Sequence, residues 1–262
     1  MNETTFNPPA IEMSGADITA LRDTSLVVLE NVNWPVLPGE FWVVAGQQHS
    51  GKSDLLLNAA GLMTPARGMC RVFGCDTKYF GEAQIAERLR VGFAMADGKL
   101  FHQLTVAENV ALPLRYHQNL SDADTACAVE PLLELTELTP FAGALPGNIA
   151  ASWRQRAALA RALALKPELL LLDNPNGGLT LRNRQWLLDF LEQLNHGHEF
   201  FGGTPMTIVA TTDDLRPWQH ARRKFAVLNE GTFSILGNWN REVFSNHDAL
   251  KEMLAVQPEN II

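Results

Sequence analysis

Apolar residues cluster in two ways along the 262-residue chain. Residues 41–45 (Phe-Trp-Val-Val-Ala), 91–96, 169–172 (four leucines) and 207–211 are strand-length runs without polar alternation. Such runs predict strands buried on both faces, as in a parallel sheet. Shorter runs at 11–13, 25–29, 32–34 and 70–74 predict further strands, with a turn at Leu37-Pro38-Gly39-Glu40. Helical stretches come between them: 54–60, 106–110, a segment capped by Ser121 with Asp124 three residues on, 152–165 ending at Lys166-Pro167, and 186–194. Strands alternating with helices predict an α/β fold around a parallel core. The wholly helical reading from 105 to 138 marks an inserted helical subdomain, placed at about 97–150. Residues 1–9 read as a loose lead-in, 10–240 as one domain, and 241–262 as a helical tail. No internal repeat or low-complexity tract is present.

Between the 41–45 strand and the 54–60 helix lies Gly46, Gln47, Gln48, His49, Ser50, Gly51, Lys52, Ser53, with Asp54 opening the helix. Glycine, four free positions, then Gly-Lys-Ser is the phosphate-loop pattern. A strand, a glycine-bearing loop and a helix N-terminus aim successive backbone N–H groups at one anion. The Lys52 ammonium then reaches the β- and γ-phosphates, and the Ser53 hydroxyl ligates Mg²⁺. ATP and Mg²⁺ are the expected ligands. Asp173, a lone carboxylate ending the four-leucine strand, suits the Mg²⁺ shell better than a core. His49 occupies a free position and reads as a tolerated side chain.

Composition bounds the rest. With 46% hydrophobic residues the chain can bury a full core, as one large domain or two tightly joined. The formal charge of −8 argues against a broad nucleic-acid surface. Cys70, Cys75 and Cys127 have no metal spacing and are too few for a disulfide framework, which predicts reduced thiols. The polar, Pro-containing start does not read as a signal peptide. Every apolar run is interrupted before membrane-spanning length, so a soluble protein is expected, with any membrane role exerted through a partner.

Two further stretches point to a family. Arg154-Gln155-Arg156 opens an Arg/Ala/Leu helix that leads directly into Leu169-Leu170-Leu171-Leu172-Asp173. This closely resembles the helix and Walker B strand of ATP-binding-cassette (ABC) ATPases. Leu104-Thr105-Val106 and Glu108-Asn109-Val110 resemble the segment after the family's glutamine loop. Val227-Leu228-Asn229-Glu230-Gly231 is similar to its strand and turn after the switch histidine. Within the family, residues 101–117 look most like the ATPases of Mla-type (MCE-associated) phospholipid transport. The resemblance implies a RecA-like core with an antiparallel β subdomain and a helical subdomain. It also implies pairing with a second ABC ATPase subunit and with an integral membrane permease. The subunit would then sit in the cytoplasm, peripheral at the inner membrane.

The departures are as informative. Where the family has its glutamine this chain has Ala96. The Leu-Ser-Gly-Gly-Gln signature becomes Ile149, Ala150, Ala151, Ser152, Trp153. The glutamate after Walker B becomes Asn174, and the following loop's aspartate becomes Thr180. The switch histidine becomes Asp213, or Thr212 if the register slips by one. No aromatic lies near Leu21, Arg22 and Asp23, where the family stacks adenine. Asn174 cannot accept a proton from water, and losing a general base typically costs about 10²–10⁴ in rate. An ionised Asp213 repels a γ-phosphate. The chain therefore keeps the groups for holding nucleotide and lacks those for cleaving it. Two functions follow: an ABC transporter subunit with little or no hydrolysis, or a nucleotide-gated regulatory or scaffold protein. Trp153 and Trp186 read as helix packing, and Asp213 or Asp214 as the cap of a helix toward Trp218.

Overall fold

The computed structural model describes residues 8–81, 84–96, 98–118, 120–240, 244 and 248–254. Strands β1 (Ile11–Ala20), β2 (Asp23–Val36), β4 (Arg67–Val72) and β5 (Cys75–Asp76) form an antiparallel sheet in the order β2-β1-β4-β5. The stretches 25–29 and 32–34, expected as two strands, are one. Asn31 sits at φ 51 and its N–H donates to Asp17 Oδ1 at 2.9 Å, so the polar break is a bulge rather than a turn.

A second sheet contains β3 (Phe41–Gly46), β6 (Val91–Ala94), β7 (Leu169–Leu172), β8 (Thr207–Thr212), β9 (Lys224–Asn229) and β10 (Thr232–Asn238). Its order is β10-β9-β3-β8-β7-β6, parallel except for the edge hairpin of β9 and β10. Ala45 pairs with Thr212, Leu172 with Ala210 and Ala94 with Leu172. The C-terminal ends of β3, β8, β7 and β6 therefore make one continuous edge.

Successive side chains on a strand point to opposite faces, and the two faces build two cores. Phe41, Val43 and Ala45 join Leu170 and Leu172 on one side, and Trp42 and Val44 join Leu169 and Leu171 on the other. The first core is covered by α3 (Val106–Gln118), α4 (Asp122–Leu135), α5 (Ala151–Leu163) and α6 (Leu181–His196), through Val110, Leu132, Leu159 and Leu191 among others. The second is closed by α1 (Lys52–Ala59) and the antiparallel sheet, through Leu55, Leu56, Ile18 and Trp34. A short helix, α2 (Ile85–Leu89), precedes β6. The Ser121 hydroxyl caps α4, accepting from Asp124 N–H at 3.2 Å. The helix expected at 186–194 begins at Leu181, and that expected at 106–110 runs on to Gln118.

Arg156 ties three of these helical segments together. Its guanidinium lies 3.6 Å from the Trp186 ring centroid and 4.6 Å from that of Trp153, and it pairs with Glu137 at 2.5 Å. Both tryptophans thus pack the helical layer, with Trp153 also against Phe141. Helix α7 (Asp248–Leu254) returns to the core, where Leu215 N–H donates to Met253 O at 3.1 Å. Most of the expected lead-in, residue 97, and parts of the expected tail lie outside the described residues.

Cys70 is fully buried in β4, and burial pushes its thiol up to about 12 from 9.0. Because the folded value is raised, the stabilisation from the neutral thiol is complete below 9.0 and is lost as pH climbs toward about 12. At neutral pH a thiol reagent should label exposed Cys127 readily and leave Cys70 unmodified until the protein unfolds. Mass mapping of the labelled peptides checks this, and rapid native-state labelling of Cys70 would contradict it.

Candidate functional site

Strand β3 ends at Gly46, where a Cβ would lie 2.4 Å from Ser50 Oγ, so the loop closes only around glycine. The chain then turns through two left-handed residues, His49 (φ 64) and Gly51 (φ 90), before α1 begins at Lys52. Glycine carries such a φ freely, whereas for an L-residue it costs about 1–2 kcal/mol. His49 is therefore strained as well as tolerated, which its free place in the motif did not reveal. Gly51 offers α1 no side-chain cap, leaving the first-turn N–H groups open toward the loop. Asp54 lies in that turn, but its Oδ1 accepts from Leu21 N–H at 2.8 Å. Its carboxylate anchors the β1–β2 hairpin, and its backbone N–H is the group available to a phosphate.

The Lys52 ammonium donates to Gly46 O at 2.7 Å and to Gln47 O at 2.5 Å. Desolvation holds its pKa below the usual lysine value, while the negative charges of Asp213 and Asp173 pull the other way. Ser53 Oγ donates to Asp173 Oδ2 at 2.7 Å although the residues are 120 positions apart. Thr211 Oγ1 donates to Asp173 Oδ1 at 2.9 Å and accepts from Asn174 N–H at 2.9 Å. A hydroxyl and a carboxylate side by side are hard oxygen donors of the kind Mg²⁺ takes. Sequence reasoning missed Thr211, whose one signal was a hydroxyl residue ending an apolar run.

The substituted positions gather around this pair. Ala96, Ser152 and Asn174 line one cavity with Asp173, and Asn174, Thr212 and Asp213 line another with Gln47 and Gln48. Both candidates for the switch position thus face the phosphate loop. Asp214 Oδ1 accepts from Arg216 N–H at 3.0 Å, while the N-cap residue of the short turn Arg216–Trp218 is Leu215, so neither aspartate occupies the expected cap position. Asn174 has φ 43, a left-handed conformation that asparagine accepts more readily than most residues. Ile149 is buried, while Ala150 and Ala151 are exposed at the start of α5. Ala150 is the N-cap residue of α5 and Thr180 that of α6, and neither side chain makes a capping bond.

A phosphate loop, a Ser53–Asp173 contact beside it and a parallel sheet define a P-loop nucleotide-binding protein. The family profile described as ABC transporter matches residues 29–177, more than half of the chain. The chain belongs to the ABC transporter family and has its ATP-binding fold. Curated relatives include the sulfate/thiosulfate import ATP-binding protein of Caulobacter vibrioides, 37% identical over 80% of this chain and 60% of that protein. The protein of that name from Mycolicibacterium paratuberculosis is 34% identical over 83% of this chain and 57% of its own length. The chain thus spans about three fifths of the length of these relatives. They carry import names, which does not support the Mla-type subfamily read from residues 101–117. Among solved structures, the ATP-binding cassette MJ0796, a dimer bound to ADP and Pi, superposes with a TM-score of 0.75 at 26% identity. That match covers 87% of this chain and all of that one.

An uncapped helix start should be improvable. Ala150→Ser places a hydroxyl at an N-cap with extended backbone, φ −64 and ψ 157. It should stabilise the protein by about 0.5–2 kcal/mol. Urea denaturation of both proteins measures the gain, and an unchanged midpoint would show that α5 is satisfied otherwise.

Proposed function

We propose that this chain is the ATP-binding part of an ABC importer that binds Mg·ATP, docks on a membrane permease, and hydrolyses weakly or not at all. The observation that carries this reading is the Ser53–Asp173 contact beside Lys52, with Ala96, Asn174 and Asp213 or Thr212 around it. Lys52, Ser53, Asp173 and the loop N–H groups of residues 46–54 hold the triphosphate and metal. Bound by Ser53 and Asp173, Mg²⁺ would supply neutralisation of the phosphate charge. Residue 174 offers no carboxylate as general base, residue 96 no water-positioning amide, and the switch position no cation for the γ-phosphate.

Import of a small solute has the relatives' names behind it; lipid cargo has only residues 101–117. A groove of about 740 Å³ bordered by α2, α3 and α5 exposes Leu62, Ile85 and Tyr116, and supports a permease contact on that face. The membrane-spanning part is assigned to that partner, which holds the subunit at the cytoplasmic side of the inner membrane. Across the nucleotide, a second and intact ABC ATPase subunit would supply the signature hydroxyl that Ala150 lacks.

Two variants test the reading. Lys52→Ala should lose most Mg·ATP affinity by titration calorimetry, and wild-type affinity in the variant would refute the assigned loop. Asn174→Glu should leave phosphate release within a few-fold of wild type under saturating Mg·ATP. Groups acting on one transition state are non-additive, and glutamate is a poorer left-handed residue than asparagine. A rise of several orders of magnitude would mean that the other substituted positions are competent.

A further inference from the structure

Three polar atoms near Asp173 are buried without a partner among the described residues: Gln155 Oε1, Asn174 Oδ1 and Arg156 Nε. All three belong to residues lining one cavity of about 30 Å³, together with Asp173, Ala96 and Trp186. That volume exceeds the roughly 10–15 Å³ of solvent-accessible space that one water needs. Two acceptors and one donor are a complement for a water that donates twice and accepts once, and buried waters make about three such bonds. Ala96 contributes only a methyl group to the wall, so the space exists because this position lacks a long side chain.

The same Gln155 holds the chain that follows Asp173. Its Nε2 donates to Gly177 O at 2.9 Å, and Gly177 N–H donates to Asn174 O at 3.1 Å. Asn174 N–H is bound in turn to Thr211 Oγ1, which donates to Asp173 Oδ1. A single side chain on α5 is thus linked through the loop to the carboxylate that ligates the metal. We propose that the cavity is a site for one structural water, donating to Gln155 Oε1 and Asn174 Oδ1 and accepting from Arg156 Nε. Through this water and Gly177 O, Gln155 is the positioning residue that fixes the loop carrying Asp173. The second part rests on the Mg·ATP reading above; the water site does not.

Gln155→Glu discriminates positioning from mere packing. A protonated carboxyl has nearly the same shape as the amide and keeps one O–H donor for Gly177 O. Ionised, it has no donor and places a charge in a buried cavity. Burial raises its folded pKa above about 4.3, so its native-like behaviour is complete below that value and is lost as pH rises through the folded pKa. Wild type, Gln155→Glu and Gln155→Leu are compared in the full chain from about pH 5 to pH 8. Mg·ATP affinity is read as a ratio to wild type at each pH, alongside the apo-protein thermal midpoint. Wild-type crystals are refined to a resolution that orders solvent. The expected crystal result is one water in contact with the three named atoms. Gln155→Leu should bind about tenfold or more weakly at every pH, as second-shell losses at metal sites do. Gln155→Glu should match wild type at the acid end and fall toward Gln155→Leu at the alkaline end.

An empty cavity, or a direct Gln155–Asn174 amide bond in its place, would overturn the water site. Unchanged affinity in Gln155→Leu, or a flat ratio for Gln155→Glu, would overturn the positioning role. If Gln155→Leu does not fold, the pH dependence of the Gln155→Glu ratio still decides. Wild type that binds no Mg·ATP would sink the functional reading and with it the positioning role, while the crystal still decides the water site.

Discussion

The register of the parallel sheet is the constraint on which the site depends. Because Ala45, Thr212, Ala210, Leu172 and Ala94 are laterally paired, the chain leaves β3, β8, β7 and β6 along one edge. Ligands of open α/β sheets bind outside the carboxyl ends of the strands. Lys52, Asp173, Thr211 and Ala96 are far apart in sequence and meet there for that reason. A one-residue slip of β7 would turn its leucines to the opposite faces and carry Asp173 away from Ser53. The two cores fed by alternate strand residues hold that register in place.

Electrostatics at this edge are unevenly kept. Lys52 is partly desolvated and held by two loop carbonyls, so an incoming phosphate must offer better contacts than Gly46 O and Gln47 O already do. Asp173 is held by hydroxyls from two elements, Ser53 and Thr211. The two cavities beside this pair are lined by Ala96, by the amides of Gln47, Gln48, Gln155 and Asn174, by Thr212, Asp213 and Asp214, and by Arg156, Arg184 and Arg216.

The helical layer carries the second half of the arrangement. Arg156, lying over both Trp153 and Trp186 and paired with Glu137, fixes α5 against α6. From that fixed helix Gln155 reaches the loop after Asp173. The hydrogen bonds from Gln155 through Gly177, Asn174 and Thr211 thus link α5 to Asp173, and they can be removed one at a time.

The phosphate loop, the Walker B carboxylate and the α/β alternation were legible in the sequence, because each rests on local rules. A glycine that closes a loop, an apolar run buried on both faces and a cap before a helix are fixed by neighbours a few residues away. The bulge at Asn31 was not legible, since a polar interruption reads alike as turn or bulge until Asp17 is brought across from β1. Nor were the strain at His49, the Thr211 bridge or the Gln155–Gly177 bond. By itself the sequence determined which groups are present and which are missing: Lys52, Ser53 and Asp173 against Ala96, Asn174 and Ala150. Only the tertiary structure decided that Thr211 bonds Asp173 and that Gln155 bonds the loop after it, because strand register and helix packing set which distant polar atoms meet.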